Sequence, residues 1–352
     1  MGSEQNNWQN WLAQQGAVLQ EGRVSRFGDA EAERKAAAEG NVMIPLPHLS
    51  LLRVSGTDAL TFLQGQTSND LRQVDAEHHQ LNSYNTPKGR MLALFTLFMR
   101  DGAYYLQLPS ELLEAVQKRL TMFVMRSDVK IEAIDDEMAS LALAGPEAAT
   151  VLRDAVGGCP ESPDESLTVD GLTLLRRPGD IPRFVCVAPT DRLTALWQSL
   201  VTRATPCGAD VWEWIEIRAG IPHISSRTVE AFVAQMLNLQ LINGVNFKKG
   251  CYPGQEVVAR MQYLGKLKRR MYRVAIATAT PPADGSELYS PLSASGQGAG
   301  KVVRAALNAA GQVEALVVAE IGSAEADSLY LESETGPKLT RLELPYPFEP
   351  DD

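Results

Sequence analysis

Apolar positions in the middle of the chain form runs of strand length that are separated by turns. Residues 92–99 and 103–108 are two such runs, and Asp101-Gly102 between them is a strong hairpin signal. The longest stretch of mainly apolar residues, Met91 to Met99, has nine residues and is flanked by arginines. A membrane span needs roughly 20 apolar residues, so this stretch predicts a buried strand.

Helical patterns alternate with these strand patterns. A helix is predicted from Ser110 to about Met125, and a strand follows at 129–134. The elements predicted after it are a strand at 141–144, a helix from Pro146, strands near 167–176 and 183–187, and a helix at 191–203. Short strands interleaved with single helices are typical of an α+β layered domain, not of a doubly wound parallel sheet.

Both ends of the chain differ from this pattern. Residues 1–40 have the pattern of an amphipathic helical arm that stops at Gly40. After Tyr263 the short apolar runs between Pro, Gly and Ser clusters predict a small all-β domain of sandwich or barrel type, and the tail after Pro345 is expected to be disordered. The predicted parts are an arm at 1–40, an α+β domain at 41–140 that is completed by 208–262, a second α+β domain at 141–207, a β-barrel domain at 263–346 and a tail at 347–352.

Composition fits a globular protein and excludes several classes. Of the 352 residues, 45% are hydrophobic and 22% are charged, which is ordinary for a soluble globular chain. The N-terminus has no basic-then-apolar signal pattern. The four cysteines, at 159, 186, 207 and 251, include no Cys-x-x-Cys pair, and the four histidines show no metal-ligand spacing. We therefore expect a cytoplasmic protein with neither a disulfide framework nor a metal site.

Charge is unevenly distributed along the chain. The formal net charge of −10 argues against a general nucleic-acid-binding protein. Between Lys248 and Arg273, however, eight Lys or Arg residues stand against one acid, Glu256. A run of this kind is most often a solvated face.

The segment around Cys251 is the strongest candidate for chemistry. A short strand is predicted at 245–247, and Gly250 permits a backbone conformation that other residues resist. Tyr-Pro-Gly at 252–254 turns the chain, and residues 255–261 can start a helix. Cys251 is therefore expected on a tight loop before a helix N-terminus, where nearby positive charge and the helix end favour the thiolate over the thiol.

Two other interpretations of Cys251 stay open at this point. Most free cysteines are small buried residues, and Cys159, Cys186 and Cys207 are interpreted in that way because nothing around them suggests chemistry. A hydrolase nucleophile would need a base within hydrogen-bond reach, and His223 is the only histidine after residue 79.

The octapeptide at 249–256, Lys-Gly-Cys-Tyr-Pro-Gly-Gln-Glu, followed by Val-Ala-Arg at 258–260, resembles the signature of the YgfZ family. That family is related to the aminomethyltransferase (T-protein) of the glycine cleavage system. The other stretches that agree in order are Gly65-Gln66-Thr67, Asn69-Asp70, Lys88-Gly89-Arg90, Ala219-Gly220-Ile221-Pro222, Phe232, Gln235 and Asn238-Leu239. The resemblance covers about residues 46 to 345, and the octapeptide is its most specific part.

The resemblance implies a T-protein-like, ring-shaped α+β fold of three domains, with two α+β domains, a small C-terminal β-barrel and a folate site. It implies tetrahydrofolate or a one-carbon derivative as cofactor and a cytoplasmic location, and together with the missing acids at 92 and 93 it leads us to expect no conventional turnover. The family is linked to assembly or repair of iron–sulfur clusters, so the implied partners are iron–sulfur enzymes such as radical tRNA thiomethyltransferases. Cys251 would supply a functional thiol, and the residues implied to bind the cofactor are Trp212, Gln66, Asn69, Arg90, Lys249, Gln255, Glu256 and Arg260.

Some positions depart from the pattern of the T-protein relatives. T-proteins carry an acid pair that assists one-carbon transfer at the positions where this chain has Leu92 and Ala93, which cannot exchange a proton. Arg218 stands where relatives often carry an acid that meets the pterin, and Glu216 is the neighbour that can substitute for it. Ala234 replaces a proline. The departures at 92 and 93 disfavour the alternative function, a folate-dependent aminomethyltransferase or one-carbon transferase.

A basic rim is formed in sequence by Lys266, Lys268, Arg269 and Arg270. These side chains can hold the phosphates of tRNA or the anionic polyglutamate tail of a folate. The acidic net charge makes direct tRNA binding the weaker expectation, and the tRNA link of the family can be indirect.

Overall fold

The computed structural model describes residues 7–295 and 298–348. The helices are α1 (Asn7–Gln14), α2 (Ala30–Glu39), α3 (Ala59–Gln64), α4 (Leu113–Met122), α5 (Ala148–Val156), α6 (Thr190–Leu200), α7 (Ala209–Arg218), α8 (Gln255–Tyr263) and α9 (Ile321–Glu325). The strands are β1 (Val18–Gln20), β2 (Arg23–Arg26), β3 (Val42–Pro45), β4 (Leu49–Ser55), β5 (Gln80–Asn85), β6 (Met91–Arg100), β7 (Ala103–Pro109), β8 (Lys130–Ala133), β9 (Ala139–Ala144), β10 (Ser166–Val169), β11 (Leu172–Arg176), β12 (Arg183–Ala188), β13 (Thr205–Pro206), β14 (Arg269–Ile276), β15 (Glu287–Tyr289), β16 (Gly300–Leu307), β17 (Val313–Glu320), β18 (Tyr330–Leu331) and β19 (Leu339–Leu342).

The chain forms two compact units, and each is assembled from segments that are distant in sequence. The first unit comprises Met1–Phe62, Leu71–Gln80 and Phe95–Trp212. The second comprises Leu63–Asp70, Leu81–Leu94 and Glu213–Asp352. The second unit therefore gathers the Gly65–Asp70 loop, the turn before β6 and the whole Cys251 segment. The finer division into domains that the sequence suggests stays a prediction.

The first unit contains a six-stranded sheet with the order β10-β11-β12-β9-β3-β13. Its ladders are antiparallel except for the parallel pair of β13 and β3. Helices α5 and α6 bury their apolar stripes against it through residues such as Val151, Leu193 and Trp197. The same unit contains the hairpin of β6 and β7, which pairs onward with β4 and β8.

The N-terminal residues are part of the core of the first unit. Trp8 and Leu12 of α1 are fully buried in the same cluster as Trp197, and the ring of Trp11 meets that of Trp197 edge-on at 5.6 Å. Helix α2 ends at Gly40, as predicted, but β1 and β2 form an antiparallel pair between the two helices. The expectation of an entirely helical arm is therefore wrong for residues 18–26, and residues 1–6 of that arm lie outside the described residues.

The second unit contains a six-stranded antiparallel sheet with the order β18-β15-β16-β17-β14-β19. An isolated bridge between Tyr330 and Lys338 brings its two ends together, so the sheet is curled into a half-barrel around residues such as Val274 and Val317. This element confirms the small C-terminal β-barrel. Disorder was expected after Pro345, but the ring of Phe348 packs on that of Tyr272 at 5.6 Å, so this expectation is wrong as far as residue 348. Residues 349–352 lie outside the described part.

The structure confirms the predicted hairpin turn and corrects two other local predictions. Asp101 and Gly102 form the turn between β6 and β7 with positive φ angles of 50° and 75°, as the hairpin signal requires. The helix predicted from Ser110 to Met125 is shorter, because residues 110–112 form a 3₁₀ turn and α4 ends at Met122. The strand predicted at 245–247 is wrong, since these residues form a loop. Among residues 7–295 and 298–348, none of the helices combines the length and apolar character needed to cross a membrane.

Candidate functional site

Cys251 lies on an exposed loop immediately before α8. The helix begins at Gln255, as predicted, and the Gln255 Oε1 accepts a hydrogen bond of 3.3 Å from the backbone N–H of Tyr252, which closes the turn. Gly254 caps the helix with a left-handed φ of 82°. Gly250, by contrast, has a φ outside the left-handed region and open space around it, so the special glycine of this loop is Gly254 and not Gly250.

Lys249 holds the Cys251 loop against the Gly65–Asp70 loop. Its side chain is buried, and its Nζ donates hydrogen bonds to the carbonyl oxygens of Thr67 at 2.5 Å and Asn69 at 2.8 Å. The same ammonium lies 5.1 Å from the centre of the Tyr252 ring. A buried ammonium is stable only where such acceptors satisfy it. Lys249 is therefore a positioning residue in the structure, and its predicted contact with a cofactor stays a prediction.

Asn69 has a similar architectural role. Its Nδ2 donates to the carbonyl oxygens of Leu81 at 3.1 Å and Asn243 at 2.6 Å. Its backbone N–H donates to the side-chain oxygen of Asn82, and its own Oδ1 accepts from the N–H of Asp70. These bonds use the amide of Asn69 to fix the polar loop beside β5.

Two turns of the family pattern meet backbone to backbone. A Cβ on Gly254 would stand 2.6 Å from the Cα of Gly89 and 2.6 Å from the carbonyl oxygen of Thr86. Gly89 itself has a φ of 70°, and a Cβ there would stand 2.9 Å from that of Val257. In the same turn the guanidinium of Arg90 donates to the carbonyl oxygen of Ala231 at 2.8 Å. Glycine is needed at both positions because no side chain fits between the turns.

Buried amide atoms without a protein partner lie next to these turns. Both side-chain amide atoms of Asn85 are buried, and neither has a hydrogen-bond partner in the described part of the chain. The Oε1 of Gln66 is also buried and has no hydrogen-bond partner in the described residues. Thr67 and Tyr84 form an isolated antiparallel bridge, and Gln66 and Asn85 flank this bridge on the same side. Buried polar groups are paired by protein, water or ligand, so this cluster indicates a ligand site.

Trp212 is the last residue of the first unit. It is buried, and the guanidinium of Arg183 lies 5.5 Å from the centre of its ring. Trp214 is also buried, and Arg218 lies 5.1 Å over its ring. One face of the Trp212 ring is thus occupied by a cation, and a stacking role towards a cofactor stays a prediction.

The remaining predicted residues lie on or after α8. Glu256 and Arg260 are exposed on that helix. Of the basic rim, Lys266 and Lys268 are exposed. Arg269 pairs with Glu320 at 3.2 Å, and Arg270 is buried with its guanidinium 4.5 Å over the Phe348 ring. Two of the four cations of the rim, Arg269 and Arg270, therefore interact with other residues of the protein.

An ion network occupies the region where the pterin acid was expected. Arg304 is buried, and its guanidinium binds Glu213 at 2.5 Å and Glu216 at 3.3 Å. Burial alone would lower the pKa of Arg304, but the charges of the two glutamates raise it. Glu216 therefore already has a cation as partner. The Nε2 of His223 meets Asp284 at 2.7 Å, and its Nδ1 lies 3.9 Å from Glu213.

These contacts bear on the alternatives for Cys251. Both ring nitrogens of His223 face carboxylates, which disfavours the pairing of His223 with Cys251 as a hydrolase base. Burial raises the pKa of Cys186 to about 12 and also raises that of Cys207 and Cys159, as expected for structural thiols. In the described ranges, no group of three or more His, Cys, Asp or Glu side chains is arranged to hold a metal ion.

The sequence analysis did not predict Asn85 as a site residue. Gln66, Asn69, Lys249 and the turn of Arg90 come together with the Cys251 loop in the second unit. Asn85 belongs to the same region, three residues before the Lys88-Gly89-Arg90 motif, and this position was the only sequence signal for it. Its importance depends on burial without a partner, which a sequence does not show.

Comparisons with known proteins agree with this architecture. Residues 6–165 match the family model "GCVT N-terminal domain". The chain is 32% identical over 313 residues to the tRNA-modifying protein YgfZ of Enterobacter sp. (strain 638), which covers 87% of this chain and 94% of that protein. It is 30% identical over 310 residues to the protein of the same name from Yersinia enterocolitica, covering 88% and 93% of the two chains.

Among solved structures, the glycine cleavage system aminomethyltransferase T from Bartonella henselae matches with a TM-score of 0.74 and 14% identity, over 95% of this chain and 94% of that one. This match shows the fold and confirms the T-protein-like α+β architecture. The identity and coverage of the curated relatives confirm the resemblance that the octapeptide indicated. The chain therefore belongs to the YgfZ family.

Proposed function

We propose that this protein binds tetrahydrofolate or a one-carbon derivative and supports tRNA modification as an accessory protein, without conventional turnover. The names of the relatives and the T-protein-like fold support the general form of this proposal. In its finer form, the protein assists assembly or repair of iron–sulfur clusters in the cytoplasm. Its clients are then radical enzymes that thiomethylate tRNA.

The observation that carries the folate proposal is the unpaired amide of Asn85, which flanks the Thr67–Tyr84 bridge on the same side as Gln66 with its unpaired oxygen. A pterin edge has N–H donors and a carbonyl acceptor side by side, and a carboxamide can pair with such an edge through two hydrogen bonds. A buried donor or acceptor that stays unpaired costs roughly 1–3 kcal/mol, so a ligand that pairs these atoms gains affinity from them. The residues present therefore fit a pterin.

The other residues of the site position this cluster. Lys249 ties the loop that contains Gln66 to the Cys251 loop, and the contact of Gly89 with Gly254 fixes the turn that follows Asn85. Bound tetrahydrofolate supplies a carrier for one-carbon units. Leu92 and Ala93 at the start of β6 are apolar and cannot move a proton, which supports a role without one-carbon turnover. Cys251 is exposed and offers a thiol to a client or reagent.

Calorimetric titration of tetrahydrofolate into Asn85→Leu tests the pterin site. We expect affinity to fall about 5- to 150-fold, because roughly 1–3 kcal/mol of pairing is lost. The urea midpoint should stay equal or rise, because the unpaired amide is gone. Asn10→Leu, at an exposed position of α1, is the matched control and should bind as the wild type does. Wild-type affinity in Asn85→Leu would contradict the assignment of the pterin to this cluster.

The role of the thiol is tested separately in cells that lack the native protein. Cys251→Ala and Cys251→Ser should fail to restore thiomethylated tRNA and the activity of cluster enzymes, whereas Cys159→Ala should restore both. Full rescue by the Cys251 variants would show that the thiol of Cys251 is not needed for the function.

A one-carbon transferase is the second candidate, and the T-protein-like fold is the observation that favours it. It predicts that the protein forms methylene-tetrahydrofolate from aminomethyl-lipoyl carrier protein and tetrahydrofolate. We expect no formation above background, because residues 92 and 93 have no acid. Measurable product would favour the transferase over the accessory role.

A further inference from the structure

A groove of about 810 Å³ lies in the second unit at the C-terminal end of α8. Gln235 and Gln240 line it from one stretch of chain, and Lys266, Leu267 and Lys268 line it from the connection between α8 and β14. The residues that form the pterin cluster are not among those that line it. The groove is therefore a separate candidate for a binding site.

Two acceptors in the groove have no partner in the described part of the chain. Gln235 is 3% exposed, and its Nε2 donates to the carbonyl oxygen of Val258 at 2.6 Å. This bond fixes the orientation of the amide, so the unpaired atom is the oxygen Oε1. The Oε1 of Gln240 is likewise buried and unpaired. A ligand that satisfies these atoms must supply hydrogen-bond donors, either N–H or O–H.

The charge of the groove adds a second requirement. Lys266 and Lys268 are exposed and line it, together with one acid, Glu325. Arg269 and Arg270 are engaged within the protein, so the two lysines remain as the cations of the basic rim that can meet a ligand. The ligand must therefore combine hydrogen-bond donors with negative charge.

We propose that this groove binds the γ-linked polyglutamyl tail of a folate, which rests on the proposed function. Each γ-glutamyl residue has one amide N–H for the glutamine oxygens, one carboxylate for the lysines, and methylene groups that can contact Leu267 and Ile321. A phosphodiester group is anionic but has no donor of its own, whereas each γ-glutamyl residue carries a donor and a carboxylate together, which favours the glutamyl chain.

The position of the groove suits a tail that extends from the pterin cluster. Gly254, at the start of α8, contacts the turn that follows Asn85, and the groove lies at the other end of the helix. The nine residues of α8 span about 12 Å. The aminobenzoyl part of a folate, which separates the pterin from the first glutamate, bridges a distance of this order.

The test compares tetrahydrofolate monoglutamate with tetrahydrofolate pentaglutamate by calorimetry on the full chain. We expect the pentaglutamate to bind the wild type roughly tenfold more tightly, since two exposed ion pairs and two hydrogen bonds are added. Lys266→Gln with Lys268→Gln should remove most of this gain, and Gln240→Leu should reduce it. Both variants should weaken the monoglutamate less than the pentaglutamate, because a single glutamate occupies only part of the groove. Lys118→Gln with Arg126→Gln removes two other exposed positive charges and should keep the gain.

The outcomes separate this inference from the proposed function. Equal affinity of the wild type for both ligands, or a gain that persists in both groove variants, overturns the polyglutamate groove and leaves folate binding intact. If neither ligand binds, the proposed function fails and this inference fails with it. If the double lysine variant loses tRNA in a filter-binding assay while the polyglutamate gain persists, the groove belongs to RNA and the inference is overturned.

Discussion

Replacement of Gly254 by alanine tests whether the contact between the two glycine turns holds the Cys251 loop in place. The new Cβ would stand 2.6 Å from the Cα of Gly89 and 2.6 Å from the carbonyl oxygen of Thr86. Both neighbours are backbone atoms, so the overlap can be relieved only by a shift of the whole turn or of the start of α8. The substitution therefore perturbs the site without removing any polar group.

The expected cost has two parts. An alanine in the left-handed conformation at φ 82° costs about 1–2 kcal/mol. Relief of an overpacked contact by backbone shifts typically adds about 1–3 kcal/mol. Gly311 has a similar φ of 75° but no atom within 4 Å of its Cβ position. The free energy of unfolding of Gly311→Ala should therefore fall only by the cost of the left-handed conformation. The difference between the free energies of unfolding of the two variants therefore measures the contribution of the contact with Gly89 and Thr86.

Urea unfolding of both variants gives the stabilities, and the rate at which a thiol reagent modifies Cys251 reports on the loop. We expect Gly254→Ala to be less stable than Gly311→Ala by about 1–3 kcal/mol and to change the modification rate. Gly250→Ala, beside Cys251 but in open space, should change the stability little. Equal stabilities of Gly254→Ala and Gly311→Ala, with unchanged reactivity, would refute the role assigned to the contact.

Further predictions concern the buried charges. Lys249→Met should lower the free energy of unfolding by about 2–3 kcal/mol in urea titrations, because it removes the donor from two buried carbonyl oxygens, whereas Lys248→Met, at the exposed neighbour, should change it little. Arg304→Met should lower the free energy of unfolding by about 3–5 kcal/mol in the same assay, because two buried glutamates lose their cation. A decrease no larger than that of Lys248→Met would contradict this. Burial alone would raise the pKa of Asp284, but the hydrogen bond and charge of His223 hold it below its usual range. This pair therefore stabilises the fold above about pH 4, and its contribution is lost as the pH falls through the lower folded value. His223→Gln should reduce the loss of stability between about pH 4 and pH 2, measured as urea midpoints, and an unchanged acid limb would contradict the assignment.

The sequence determined the local elements wherever the chemistry of a few adjacent residues decides the conformation. Asp101-Gly102 adopts positive φ angles because these residue types tolerate them. Helix α2 ends at Gly40, a poor helix former that here has an extended φ of −145°. The octapeptide around Cys251 was sufficient to indicate the family. It was also sufficient to place Cys251 on a loop before a helix.

The tertiary structure decided everything that depends on which distant segments meet. Lys249 looked like a ligand-binding cation in the sequence, but the carbonyl oxygens of Thr67 and Asn69, about 180 positions earlier, take up its ammonium. The N-terminal segment looked like an arm, but Trp8 is buried against the core. The unpaired amide of Asn85 and the unpaired Oε1 of Gln235 could be found only from burial, because a carboxamide in a sequence does not show whether folding leaves it with a partner.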